Sequence, residues 1–156
     1  MTDFIGMYLQ AITFLDCACL CNETVRLDKG SARSIYLGTA VIVNCAFACE
    51  IFLKLLLEFN NVKYKKQHGL KELFDLLPEE LRVKINRHLL QNYGTLKDSN
   101  GFEFLQLYSN AFTEWRYSYE KFNLRIERNF LFLFCKILKK ESEERLGWKG
   151  YDGREK

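Results

Sequence analysis

The residues best suited to chemistry lie in one predicted helix, where Arg116 interrupts an apolar stripe. On a helical wheel of about 100° per residue, Arg116 lies about 40° from Phe112 at the centre of the apolar face, and Glu120 lies near its edge. A guanidinium keeps its proton, so an inward-facing arginine must find acceptors. Arg116 is therefore expected either to form a buried ion pair with Glu120 or Glu50, or to bind a phosphate or another anion at a cleft.

Side chains that could assist such a site are few. Tyr117 and Tyr119 could stack on bases, although tyrosines on a helix are more often ordinary packing residues. Only two histidines are available for proton transfer. His68 precedes a predicted helix, where it is expected to act as a cap, and His88 is expected on a surface. The candidate catalytic residues are Arg116 and Glu120, and the candidate binding residues are Tyr117, Tyr119, Glu50 and His68.

The six cysteines do not form a recognisable metal motif. Cys17, Cys19 and Cys21 are spaced by two, so successive members point about 200° apart on a helix. Cys45 and Cys49 lie one helical turn apart, but no His/Cys pair in the sequence completes a tetrahedral set. We therefore predict small apolar core residues kept reduced in a cytoplasm, with no metal and no cofactor.

Composition favours a single all-α domain. The chain has 156 residues, 48% of them hydrophobic, with only one proline and nine glycines, so long helices can run without interruption. The formal charge of +3 is weak evidence for a nucleic-acid partner, because the basic clusters at 63–66 and 136–140 are typical of a solvated face. The apolar run at 35–57 contains Asn44, Glu50 and Lys54, which favours a buried helix over a membrane span.

Hydrophobic periodicity predicts an antiparallel bundle of five to six helices. Thr2 is expected to cap the first helix, and the second is expected to be central because two apolar rows run along it. The predicted helices cover residues 3–27, 31–59, 70–77, 78–91, 102–122 and 124–145. One domain is expected at 1–146, followed by a mobile tail at 147–156. Because residues 130–135 are apolar on every side, a homodimer is expected to cover them.

Three segments, at 48–57, 68–77 and 111–120, resemble in order and spacing the higher eukaryotes and prokaryotes nucleotide-binding (HEPN) domain. The resemblance spans about 31–122, most of the chain. It implies a bundle of four to six helices that commonly dimerises. Many such domains are metal-independent endoribonucleases of toxin–antitoxin, CRISPR-associated or phage-defence systems.

The resemblance also implies roles for two residue types. An arginine steadies phosphate charge, and a histidine four to six positions beyond it moves protons while a ribose 2′-hydroxyl attacks phosphorus. Arg116 occupies the place of the arginine, but residues 117–123 contain no histidine. Arg82 and His88 have the motif spacing, yet they belong to another helix and point about 120° apart, which is typical of a chance match.

Two functions follow as expectations. The first is an HEPN-like protein directed at RNA or a nucleotide, either a variant endoribonuclease or a protein that binds without cutting. The second is a non-catalytic dimerisation or adaptor module for a protein partner such as a cognate antitoxin. Both are expected in the cytoplasm without a membrane. A third class, a metal or redox bundle, has little support from the local cysteine spacing.

Overall fold

The computed structural model of the protein describes residues 2–23, 38–92 and 128–148. In these ranges the chain forms helices and turns and contains no strand, so the predicted all-α class is confirmed. The described helices are α1 (Phe4–Glu23), α2 (Gly38–Phe59), α3 (Leu70–Asp75), α4 (Glu79–Asn92) and α5 (Arg128–Leu146). The predicted helix at 102–122 lies outside the described residues, and the HEPN identity and the homodimer stay predictions.

Helix α1 begins at a cap supplied by Asp3. The Asp3 carboxylate accepts a hydrogen bond from the backbone N–H of Gly6 at 2.8 Å, which satisfies one of the donors exposed at a helix start. A Cβ at residue 6 would collide with this carboxylate, so the glycine permits the close approach. The predicted cap, Thr2, is wrong, because its hydroxyl donates instead to Glu58 at 3.0 Å.

Replacing Asp3 with alanine is expected to lower the free energy of unfolding by about 1 kcal/mol, because the Gly6 N–H loses its acceptor. Asp16→Ala is the matched control, since it removes the same charge from an exposed position of α1. Urea denaturation followed by circular dichroism measures both. Equal effects of the two changes would show that charge, not capping, is responsible.

Helix α2 is the centre of the core, as the two apolar rows predict. It packs against α1, α3 and α5. In their described part, from residue 39 on, both rows are buried over most of their length, and only the early Thr39 and the last Phe59 keep exposed surface. The α1 stripe faces α2 in the same way. Its fully or nearly buried members are Tyr8, Ala11, Leu15 and Ala18.

The helix directions agree with the antiparallel prediction in part. Phe4 stacks on Phe59, with ring centroids 4.4 Å apart, so α1 and α2 are antiparallel. Arg145 at the end of α5 donates to the Asn60 side chain at 3.1 Å. The end of α5 therefore lies beside the end of α2, and these two helices run parallel. A parallel pair needs a long connection, which residues 60–127 supply.

Both helices of this parallel pair end in the same backbone hydrogen-bonding motif. After α2, Val62 N–H donates to Leu57 O and Asn61 N–H donates to Glu58 O, with Asn61 in the left-handed region at φ 54°. After α5, Gly147 takes the left-handed position at φ 72°. These are Schellman caps, which satisfy the last carbonyls of a helix. Gly147 and Trp148 were predicted to open the mobile tail, and residues 149–156 lie outside the described part.

Two helices are long and apolar enough to cross a membrane by length and composition. In α2, 72% of the apolar window is buried inside the protein, which is typical of a soluble core helix. In α1 the window Phe4–Asn22 is 22% buried and lies near the N-terminus, where signal sequences pass the same test. This is weak evidence in either direction, so the cytoplasmic location without a membrane stays a prediction.

Candidate functional site

A buried carboxylate on α2 contacts a histidine from the connection between α2 and α3. The Glu50 side chain is 2% exposed. Its Oε1 accepts a hydrogen bond from Lys54 Nζ at 2.6 Å and lies 2.9 Å from His68 Nδ1. Its second oxygen, Oε2, is also buried and has no hydrogen-bond partner among the described residues. We call Glu50 and His68 the Glu–His pair.

The local fold explains why His68 reaches Glu50. The Schellman cap at Asn61 turns the chain back along α2, and Gly69 then occupies the N-cap of α3 with an extended backbone at ψ 130°. No side chain caps α3. The predicted capping role of His68 is therefore wrong, because the glycine takes the cap position and the imidazole is left to contact the carboxylate.

The surroundings of the Glu–His pair are basic on the solvent side. Lys63, Lys65 and Lys66, on the same connection as His68, are exposed. Lys54 Nζ lies 5.8 Å from the centre of the Tyr64 ring. Burial and a hydrogen bond to Glu58 raise the pKa of Tyr64 to about 12, so its phenol stays protonated at neutral pH. Exposed cations beside a histidine attract phosphate groups.

The pair is arranged for proton transfer. If Nδ1 carries the proton, it donates to Glu50 and leaves Nε2 as the acceptor for an outside group. A buried carboxylate that holds an imidazole in one tautomer and orientation also stabilises the imidazolium that forms when Nε2 takes a proton. The His68 side chain is 64% exposed, so a ligand in solvent can reach it.

Of the six sequence-predicted site residues, the structure brings together Glu50 and His68. The other four, namely Arg116, Tyr117, Tyr119 and Glu120, lie outside the described residues, and so does the predicted contact of Arg116 with a carboxylate. The sequence points to Glu50 as a binding residue and as a partner for Arg116, and gives no indication of its contact with His68. The contact with His68 spans 18 positions and has no local signal.

A second buried glutamate lies where α4 meets α5. Lys84 Nζ is 2.7 Å from Glu141 Oε2 and 2.6 Å from Glu144 Oε2. His88 Nδ1 is 3.9 Å from Glu141 Oε1, beyond hydrogen-bond distance. His88 is half-buried, not surface-exposed as predicted, because it packs toward α5. These ion pairs connect α4 with α5. His88 lacks a hydrogen bond to Glu141 that would orient its ring, whereas His68 lies within hydrogen-bond distance of Glu50.

Three buried cysteines form a cluster that local spacing does not reveal. The Sγ atoms of Cys45, Cys49 and Cys135 all lie within 4.8 Å of one another. Burial and hydrogen bonds raise the pKa of Cys49 and of Cys135 well above the ordinary thiol range. Hydrogen bonds from Cys135 and Cys49 lower the pKa of Cys45. The third member comes from α5, so only the packing of α2 on α5 assembles the group.

Comparison with known proteins adds no relative. No protein-family model matches the sequence, and no curated protein or solved structure shows significant similarity to it.

Proposed function

We propose that the protein is an HEPN-like, RNA- or nucleotide-directed protein that acts as a variant metal-independent endoribonuclease, with His68 moving the proton. The observation that carries this proposal is the Glu–His pair, in which a 2% exposed carboxylate holds an exposed imidazole at 2.9 Å. The residues after Arg116 lack the histidine that the family uses. A histidine oriented from a different element supplies the same chemistry.

In the proposed reaction His68 Nε2 accepts the proton of a ribose 2′-hydroxyl. The 2′-oxygen then forms a bond to the adjacent phosphorus, the bond to the 5′-oxygen breaks, and the leaving oxygen takes up a proton from the imidazolium or from water. The products are a 2′,3′-cyclic phosphate and a 5′-hydroxyl. Glu50 stabilises the imidazolium between the two steps.

Other residues have binding roles in this proposal. Lys63, Lys65 and Lys66 attract the phosphate backbone, so binding weakens as salt rises. Arg116 is the proposed contact to the phosphoryl oxygens, with Glu120 orienting it, and Tyr117 and Tyr119 are proposed to stack on bases. A cytoplasmic homodimer in a toxin–antitoxin or phage-defence system, inhibited by a cognate antitoxin, is the setting that the HEPN resemblance suggests.

His68→Ala is expected to abolish cleavage of labelled single-stranded RNA in the presence of a chelator, with a rate loss of roughly 100-fold or more, because the proton acceptor is removed. Glu50→Gln is expected to reduce the rate less, because an amide still orients the ring but no longer stabilises the imidazolium. Gel electrophoresis of the products and detection of the cyclic phosphate measure both.

His88→Ala is the matched control, since it removes the other histidine and leaves the Glu–His pair intact. Circular dichroism shows whether each variant remains folded. Full activity in folded His68→Ala protein would contradict the proposed role of His68. If that variant keeps its activity but Arg116→Ala loses it, the cleavage chemistry stands and a different proton carrier is needed.

A second candidate function is a non-catalytic adaptor that binds a protein partner. It is favoured by a groove of about 660 Å³ between α1 and α5, which is lined mainly by Tyr8, Leu9, Ile12, Lys139, Glu143 and Trp148. On α1, Leu9 and Ile5 each expose about half of their surface. No RNA binding or cleavage by the native protein, together with a stable dimer in light scattering, would favour the adaptor.

A further inference from the structure

The cysteine cluster has the composition of a soft-ion site. Its three sulfur atoms come from two helices, with Cys45 and Cys49 one turn apart on α2 and Cys135 facing them from α5. All three side chains are fully buried. Among the described residues no histidine or carboxylate joins the group. Within the described part of the chain, an ion held here would therefore have sulfur as its only protein ligand.

The spacing suits a three-coordinate ion after a small contraction. With bonds to sulfur of about 2.3 Å, the sulfurs lie about 4 Å apart around a planar three-coordinate centre and about 3.4 Å apart around a pyramidal centre such as trivalent arsenic, whose lone pair narrows the angles between its bonds. The observed separations are within 4.8 Å, so the side chains need to move by less than about 1 Å. Rotation about the Cα–Cβ bonds can supply this movement, because thiols are small and unbranched. The polarisable sulfur set selects thiophilic ions over hard cations such as Mg²⁺.

Charge balance selects among the thiophilic ions. The core around these thiols is built of apolar side chains, and a net charge in such surroundings is costly. A site of three thiolates has a net charge of −2 with monovalent copper, −1 with divalent zinc and zero with a trivalent ion. Arsenite reacts without creating charge, because As(OH)₃ and three thiols give As(S-Cys)₃ and three waters. Three As–O and three S–H bonds break, three As–S bonds form, and each thiol proton leaves with a hydroxide as water.

We propose that Cys45, Cys49 and Cys135 form a trithiolate binding site for trivalent arsenic or a chemically similar trivalent thiophilic ion. This site is independent of the proposed function at the Glu–His pair. Because the ligands lie on α2 and α5, binding cross-links the parallel helix pair, and a ligand that binds only the folded chain raises the melting temperature.

A surface cleft lies near the buried thiols. It has a volume of about 360 Å³ and lies between the end of α1 and the first half of α5. Cys19 lines it and is partly exposed. Burial is the main cause that raises the pKa of Cys135, and an electrostatic contribution from Cys19 is the smallest of the causes, which indicates that the two thiols lie near each other. Lys136 also lines the cleft. A thiol at the mouth can receive the ion and pass it inward by ligand exchange. The other lining residues are Asn22, Asn129, Phe132 and Leu133.

The test is titration of the intact protein with sodium arsenite in the presence of a phosphine reductant. We expect one arsenic per chain in native mass spectrometry, an arsenic–sulfur absorption band in the near ultraviolet, and a higher melting temperature. Cys135→Ala and Cys49→Ala should each lose the bound arsenic and the thermal shift. Circular dichroism without arsenite establishes that each variant is folded.

The matched control removes a second pair of cysteines on α1, the exposed Cys17 and the partly exposed Cys21. Cys17 and Cys21 lie one turn apart and could hold arsenic through two sulfurs, which makes them the competing site. If the buried cluster is the binding site, Cys17→Ala/Cys21→Ala is expected to leave the bound arsenic and the thermal shift unchanged. The proposal is overturned if this double variant loses the arsenic while Cys135→Ala keeps it. It is also overturned if the native protein binds no arsenic, or if equimolar zinc displaces it.

Discussion

Phe52→Ala is expected to lower the free energy of unfolding by roughly 3 to 5 kcal/mol, the range for truncating a buried phenylalanine. Phe52 is fully buried in the middle of α2. Its ring meets the Tyr8 ring edge-on, with centroids 5.9 Å apart. Truncation removes apolar contacts with α1 and leaves a cavity that a close-packed bundle fills only in part. Urea denaturation monitored by circular dichroism gives the change.

Phe47→Ala, on the same helix, is the matched control. Phe47 is only partly buried and packs against Phe14, with ring centroids 4.4 Å apart. Its truncation exposes less surface and leaves a site that solvent can fill, so the expected loss is about half that at Phe52. A loss at Phe47 equal to or larger than that at Phe52 would contradict the central position assigned to the inner face of α2.

Lys84→Met is expected to lower the free energy of unfolding by about 2 kcal/mol, because Glu141 is left buried without its cation. The Lys84 side chain is 40% exposed, so solvent screens the pair, and the loss falls short of that for a fully buried ion pair. Replacing Glu141 by leucine in the same chain is expected to recover most of the loss, since an apolar pair needs no counter-charge. Urea denaturation of both variants measures the difference.

The same substitution is expected to change the response to acid. A hydrogen bond from Lys84 lowers the pKa of Glu144. A lowered pKa in the folded state gives stability that is present above the ordinary glutamate value of about 4.3 and lost as the pH falls through the folded value. Stability of Lys84→Met should therefore fall less steeply below about pH 4.5 than that of the native protein.

At alkaline pH the lysine itself dominates this response. Burial lowers the pKa of Lys84, but hydrogen bonds to Glu141 and Glu144 outweigh this effect and raise it overall. Its contribution to stability is present below the ordinary lysine pKa of about 10.4 and is lost as the pH rises through the higher pKa of the folded state.

Lys139→Met is the control for the stability loss in Lys84→Met, since Lys139 and Glu143 form an ion pair within α5. An equal loss of stability from both changes would contradict a special role for Glu141.

The sequence predicts well those features that depend on helical periodicity. The stripe of α1 and both rows of α2 are buried as predicted, because a 3.6-residue repeat determines which side chains share a face. Helix starts and ends are predicted less well. Thr2 and Asp3 are both good caps by residue type, and the choice depends on Gly6, which lets the carboxylate approach the backbone.

Contacts between elements are not encoded by local spacing. Cys135 lies 86 positions from Cys49 in the sequence, so a search for short metal motifs finds only the pair on α2. His68 stands where a cap is expected, and its contact with Glu50 depends on the turn at Asn61. The four predicted site residues at 116–120 pose the same kind of non-local question, because the partners of side chains on a predicted helix depend on how that helix packs.

The arrangement of helix ends has a topological consequence. Thr2 lies against the end of α2, and Trp148, just beyond α5, packs its indole on Tyr8 with ring centroids 5.0 Å apart. Residues 2 and 148 therefore lie at one pole of the bundle. A short flexible linker could therefore connect residue 148 to residue 2, and new chain ends could be placed in another connection. Such a circular permutation would change the order of the helices along the sequence and keep their arrangement in space.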